Sequence, residues 1–495
     1  MNKKTASKLV MLLLASIMLI TACSGNNQPQ ETPQTGTEDQ QEEVNLTLWY
    51  RWPEPQAIMQ ETIDAFEAEY PHIQVELVST PPDQWAAQVQ TAIAGNELPD
   101  MFPGGGALQL ANLHQLDILH DLDEIITPEM RDRFYEGTWM EGYTTMDDKI
   151  YAFPNLPSRR FSTMMFYNLD VLEQAGLTEA DVPKSWDELE NVCRTIVAAD
   201  NQCLIMGLKT HWLMERAVKS MASAISPEVF PNTSINYKTG QYEHHAPGIV
   251  QTLDFLKNMQ DEKLLHPNSL VIDTNEASSL FAGGRAAFLV EGSYKTAILQ
   301  NDFDFDRFGS APLPTKDGLP QYWGFQGETP APIHVNKNTP HFEEVKLFLQ
   351  FVIDNYYPKL LETGTDGSPI VEQNENFQSD NTQFVQAMQI QNDQFILSPS
   401  PFQRNLATIE VTAEMGAKLP KNNLGTFLEG YLAGQVSNMP EMLERLSGEY
   451  NELLQASIDV VAGGGNQVQA SDYVFENWTP LEPYTTDKYD ELGTN

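Results

Sequence analysis

Val44-Asn-Leu-Thr-Leu-Trp-Tyr50 alternates apolar and polar positions with the period of a half-buried strand, and Pro53 and Pro55 end the run. Ile58, Met59, Ile63, Phe66 and Tyr70 then share one helical face up to Pro71, after which Ile73, Val75 and Leu77 return to period two. Trp85, Val89, Ala92 and Ile93 predict a second helix closing at Gly95, and Leu98 to Phe102 leads into the turn Pro103-Gly-Gly-Gly106. Such alternation of strand and helix predicts an α/β layered fold. Further on, Ser185-Trp-Asp-Glu188 is a capping box followed by an apolar stripe through Leu189, Val192, Cys193, Ile196 and Val197. Ala286 to Val290 reads as a strand buried on both faces, closed by Glu291-Gly-Ser-Tyr294. Phe342, Val345, Phe348 and Val352 mark a helix beginning at Pro340, and Met442 to Val461 a long one ended by Gly463-Gly-Gly465, so the C-terminal third is largely helical. Trp85 and Trp186, on helix faces or starts, are assigned to packing.

The N-terminus has a different pattern. Lys3, Lys4 and Lys8 precede the apolar run Leu9 to Ile20, which is short of the ~20 residues a spanning helix needs. With Thr21-Ala22-Cys23 after it, the layout is that of a secretory signal and resembles the lipobox of bacterial lipoproteins, which implies cleavage after residue 22 and a lipid on Cys23. Residues 23–43 carry no side chain able to nucleate a core beyond that cysteine and read as a tether, spanning on the order of 25 Å as a flexible coil.

Charge then narrows the partners. Against 29 Lys+Arg stand 69 Asp+Glu in 495 residues, a net charge of −40, which repels phosphate backbones and excludes nucleic acid. No zinc spacing occurs among the three cysteines, and no cofactor motif is present. Cys193 and Cys203 are close enough in sequence to pair in an oxidising compartment, while a buried free thiol at Cys193 is the alternative. Gly-x-Ser-x-Gly, His-Glu-x-x-His and P-loop patterns are missing, which argues against an enzyme. The run Asp302-Phe-Asp304-Phe-Asp306 begins like a calcium loop, but Arg307 and Leu313 stand where such a loop needs Gly and Glu.

Several separated motifs carry a family resemblance: Leu46-Thr-Leu-Trp-Tyr50, Ala94-Gly-Asn-Glu-Leu-Pro-Asp-Met-Phe102, Asp148-Lys-Ile-Tyr-Ala-Phe-Pro154, Met165 to Gly176, Pro183 to Leu189, Leu280 to Phe288, Gly292-Ser-Tyr294 and Phe308 to Pro314. In this order the chain resembles the sugar-binding solute receptors of bacterial ABC importers, the group that includes maltose-binding protein. The stretch from Asp472 to Asn495, with Trp478, has no counterpart in that pattern. The resemblance implies an α/β, two-lobed periplasmic-binding-protein-like fold of type II with several hinge crossings and a helical C-terminal part. Lobe 1 would comprise residues 44–154 and 312–367, and lobe 2 residues 155–311 and 368–495. It implies a carbohydrate in the interlobe cleft, delivery to the transmembrane permease subunits, a monomer held to the membrane by its lipid, and no catalysis. A glycan-active enzyme and a surface peptide-binding or sensor protein are the competing readings.

A sugar offers apolar C–H faces and a rim of hydroxyls, so its site needs aromatic rings beside fixed donors and acceptors. The family's cleft positions fall on Trp52 and Glu54, on Phe102 and Gly104, on Trp212, and on Trp323 and Phe325. Tyr294, at the carboxyl end of an apolar strand, matches the position that stacks on a sugar ring. Arg159-Arg160 is the sole adjacent arginine pair. A guanidinium there would suit a uronate carboxylate. The simpler reading pairs both arginines with acids and leaves a neutral oligosaccharide as ligand.

Overall fold

Val44–Tyr50 lies parallel to Ile73–Ser79 along its whole length, Val44 opposite Ile73 and Tyr50 opposite Ser79, in the computed structural model of the protein. That structure describes residues 42–81, 84–105, 108–326, 331–416, 418–419 and 424–492. The expected signal 1–22, the lipid-bearing Cys23 and nearly all of the tether lie outside them. On its other side Leu48 meets Met101 of the parallel strand Met101–Pro103. Pro332–Val335 runs antiparallel to that strand and to Phe153–Pro154, completing a five-stranded sheet. Leu46, Leu48 and Tyr50 are fully buried, as the period-two pattern requires. The helices Gln56–Glu69 and Phe342–Glu362 pack together beside this sheet, with the Phe66 ring 5.2 Å from Phe348 and 5.4 Å from Phe351. Each fully buried side chain of this kind contributes roughly 1.5–3 kcal/mol.

The chain leaves this sheet after Pro154 and enters a second one at Thr163–Asn168. The second sheet has the order Phe308–Pro312, Thr163–Asn168, Phe288–Gly292, Leu204–Met206, with its last two strands parallel. The strand expected at 286–290 is shifted two residues onward, because pairing with Thr163–Asn168 continues through Gly292. The predicted helix Trp186–Ala198 forms with its capping box, Ser185 Oγ accepting from Glu188 N–H and the Glu188 carboxylate accepting from Ser185 N–H. Its Cys193 is disulfide-bonded to Cys203, which resolves the open pairing. Trp186 and Trp85 are buried, Trp186 stacked on Phe255 at 4.6 Å.

Residues 313–326 run beside elements of the second sheet. Trp186 Nε1–H donates to Pro314 O at 3.0 Å, and Tyr322 O–H to Pro227 O at 2.8 Å. The chain regains the first sheet only at Pro332. On the way, Trp323–Phe325 pairs in parallel with Phe395–Leu397. After Ile370, which bridges Phe134, the chain is mainly helical and includes Met439–Gly463, near the predicted span. The described part of the segment without family counterpart, residues 472–492, is folded: Tyr473, Phe475, Trp478 and Tyr484 are buried against Tyr237, Tyr322, Leu454 and Ile458.

Candidate functional site

The strand Met101–Pro103 ends in Gly104 and Gly105, and the chain opens there into a cavity of about 440 Å³. Carboxyl ends of parallel strands are where α/β sheets place ligands. Gly104 leaves the space that His334 fills from the neighbouring strand, since a Cβ on it would sit 2.1 Å from Nε2. Gly105 turns the chain with φ at +89°. The first-sheet side of the cavity is formed by Gly105, Leu110, Pro332 and His334. The far side is formed by Tyr237 and Tyr242 of the hairpin joining Ile235–Asn236 to Gln241–Tyr242, by Phe402, and by Tyr473. Tyr143 completes it, with its ring stacked on Phe402 at 4.9 Å. In a chain of net charge −40, no Asp, Glu, Lys or Arg is among the described residues lining this cavity.

The polar groups here are fixed and uncharged. His334 Nδ1 is 2.6 Å from the Tyr151 carbonyl, which only accepts, so Nδ1 carries the proton and Nε2 presents a lone pair. Burial holds this histidine down to about 4, so it is neutral at physiological pH. Burial likewise pushes the Tyr242 and Tyr473 hydroxyls up, so both keep their protons. Rings that end in a hydroxyl, beside an uncharged acceptor, can hold C–H faces and hydroxyls at once.

Near several of the sequence-predicted residues, arginines lie on aromatic rings. Arg51 sits 4.8 Å from the Trp52 centroid and 4.2 Å from that of Trp85, and it donates to Gly104 O. Arg159 sits 4.7 Å from Tyr135 and 5.3 Å from Phe325, and Arg216 4.1 Å from Trp323. Arg160 is paired with Asp366 at 2.5 Å, both almost fully buried. Burial pushes the Asp366 carboxyl up, and the adjacent Arg160 guanidinium opposes that shift.

The sequence-predicted residues fall into two groups around these features. Gly104 adjoins the cavity, and Trp52 with Phe102 is buried behind that wall. Trp323 and Phe325 are buried with Met140, Phe395 and Leu397, each carrying a guanidinium over its ring. Glu54 is exposed, and its charge acts weakly on Tyr294 and Asp366. Tyr294 does not line the cavity. Its hydroxyl donates to Glu291 at 3.1 Å, and its ring meets Phe161 edge-on at 5.2 Å. Trp212, 55% exposed, shares a helix with Arg216. Sequence reasoning missed His334, Tyr237, Tyr242, Phe402 and Tyr473. The alternation Ile235-Asn-Tyr-Lys-Thr-Gly-Gln-Tyr242 carried a legible hairpin signal; the others are joined only by tertiary contact. Among the described residues no group of His, Cys, Asp and Glu could hold a metal ion, and no helix is long and apolar enough to cross a membrane.

Two sheets, between which the chain crosses more than once, with an aromatic cavity at the end of a parallel strand, give the architecture of a two-lobed binding protein. The chain belongs to the bacterial extracellular solute-binding protein family, whose model matches residues 52–355. It is 26% identical over 359 residues to the arabinooligosaccharide-binding protein of Bacillus subtilis (strain 168), covering 71% of this chain and 76% of that protein. Among solved structures, a chitin oligosaccharide binding protein superposes with a TM-score of 0.58 at 18% identity, over 83% of this chain and 99% of the other. The sugar-binding protein MalE from Xanthomonas citri does so at 0.58 and 19% identity, over 83% and 97%. These likenesses establish the α/β two-lobed fold.

Proposed function

We propose that the protein captures a neutral oligosaccharide in the 440 Å³ cavity and hands it to the membrane permease of an ABC importer without altering it. The observation that carries this reading is a cavity rich in tyrosine whose described lining residues carry no Asp, Glu, Lys or Arg, in a strongly acidic chain. The relatives' named ligands, arabinooligosaccharide and chitin oligosaccharide, belong to the same chemical class. A hydrolytic role would need two carboxylates at the cavity, and none of its described lining residues has one. An acidic saccharide is less well supported: Arg160 is committed to Asp366, and Arg159 lies against Tyr135 and Phe325.

We further propose lobes of residues 44–154 with 312–367, and 155–311 with 368–495, closing about their crossings as periplasmic binding proteins do. In this reading the monomer is tethered through a lipid on Cys23 to the outer face of the cell membrane. Thermal unfolding with arabinotriose, maltotriose, chitotriose, raffinose and control peptides tests the ligand class. A ligand at 100 times its Kd stabilises by about 2.7 kcal/mol. At least one sugar raises Tm and the peptides do not; a rise with peptides alone overturns the reading.

A further inference from the structure

The residues beyond the long helix Met439–Gly463 lie outside the family match, yet they reach the cavity. Tyr473 ends a short 3-10 turn, Ala470–Tyr473, and is one of the cavity's lining residues. The turn is held in place: the Asp472 carboxylate accepts from Gln469 N–H and from Asn405 Nδ2, each at 2.9 Å. Tyr473 is nine-tenths buried, and its hydroxyl makes no hydrogen bond among the described residues. His334 Nε2, on the first-sheet side of the same cavity, also lacks a partner there. A buried polar atom left without a partner costs free energy, and a bound hydroxyl that supplied one would recover it.

The same segment fixes the rest of the far wall. Phe475 N–H donates to Tyr237 O at 2.7 Å, and the Tyr237 ring meets Phe475 and Trp478 edge-on at 5.2 and 5.7 Å. Lys238 of the hairpin donates to Glu476 O, and Val474 packs on the Gly240 turn. The Tyr489 hydroxyl accepts from Ser400 N–H, and Ser400 caps the short helix that carries Phe402. Hairpin and helix therefore keep their positions through the C-terminal segment.

We propose that residues 468–492 are an integral part of the ligand site, bracing the aromatic wall and contributing the Tyr473 hydroxyl, together with His334 Nε2, to grip the hydroxyls of an uncharged saccharide. Tyr473 is thus a specificity-determining residue supplied from outside the region shared with the family. The inference rests on the oligosaccharide reading above, and two measurements separate their fates.

The first is calorimetry of the full chain with whichever of arabinotriose, maltotriose, chitotriose or raffinose raises Tm most. Tyr473→Phe keeps the ring and the wild-type Tm, and weakens that sugar about tenfold, the scale of one lost hydrogen bond to a buried partner. Wild-type binding with an unchanged Kd in Tyr473→Phe overturns the grip while leaving the oligosaccharide reading intact. No binding of any sugar by the wild type overturns both. The second is hydrogen exchange without sugar on Trp478→Leu, a substitution milder than truncation. Amides of residues 235–242 and 399–404 exchange faster while those of 44–50 do not. Unchanged exchange at the hairpin and helix overturns the bracing role whatever the sugar result.

Discussion

Arg160 and Asp366 are 5% and 7% exposed, and their side chains meet at 2.5 Å, so neither charge has water to fall back on. Arg160→Ala leaves a buried carboxylate without its partner and is expected to destabilise the protein by about 3–5 kcal/mol, whereas replacing both members with apolar residues recovers most of that loss. Urea unfolding of the single and double variants checks this; a double variant as unstable as the single one contradicts it. Glu291 is a second buried acid, with Lys295 Nζ 4.0 Å away and the Tyr294 hydroxyl donating to it. Burial pushes its carboxyl up to about 7, so the folded state holds a proton that the unfolded state has released above about 4.5. Folding stability from this group is therefore present below pH 4.5 and declines as pH rises toward 7. Glu291→Gln removes that decline, and the stability difference, variant minus wild type, grows between pH 5 and pH 7.5. A difference that is flat with pH counts against the buried proton. At this scale the sequence showed which residues were unusual without showing their partners. Arg159-Arg160 stood out, but Asp366 lies 206 positions from Arg160, and no local pattern joins them. Tyr294 was legible as the end of an apolar strand, while its hydrogen bond to Glu291 depends on a rotamer that only packing selects.

The disulfide Cys193–Cys203 ties the middle of the helix Trp186–Ala198 to the residue just before the strand Leu204–Met206. A ten-residue separation closes a short loop, for which the chain-entropy model gives about 3 kcal/mol. Cys193→Ala with Cys203→Ala is expected to lose about that much, and wild type in reductant should unfold at the variant's temperature. An unaltered Tm in both would mean that the bridge adds nothing. Elements with their own local signal, such as the helix with its Ser185 capping box and the alternating strand Val44–Tyr50, were readable because propensity and period agree there. Shorter strands were less so. Trp323–Phe325 and Phe395–Leu397 have three residues each and exist because they pair with one another across 72 positions of chain, a long-range cost that no window of sequence reports. The hairpin 235–242 was within reach of pattern reading; its place on the cavity was not.

At the scale of the whole molecule, a strongly acidic chain has a cavity whose described lining residues are uncharged. With 69 acidic residues against 29 basic ones, the proposed site selects for neutral ligands, since its described lining residues carry no charge and the net negative charge disfavours anions. Closure of the two proposed lobes predicts a smaller radius of gyration in small-angle scattering at saturating sugar; an unchanged radius would mark a rigid site. The fold was legible at this scale because many weak motifs fell in family order. The C-terminal contribution was not, since Tyr473 reaches the cavity only after residues 468–492 fold onto the hairpin. The most direct test of the account is calorimetry on the protein with a matched pair of oligosaccharides that differ only in a uronic carboxylate. The neutral member is expected to bind and the uronide to bind at least tenfold more weakly; a uronide that binds as tightly or more tightly rules out a site built for neutral sugars.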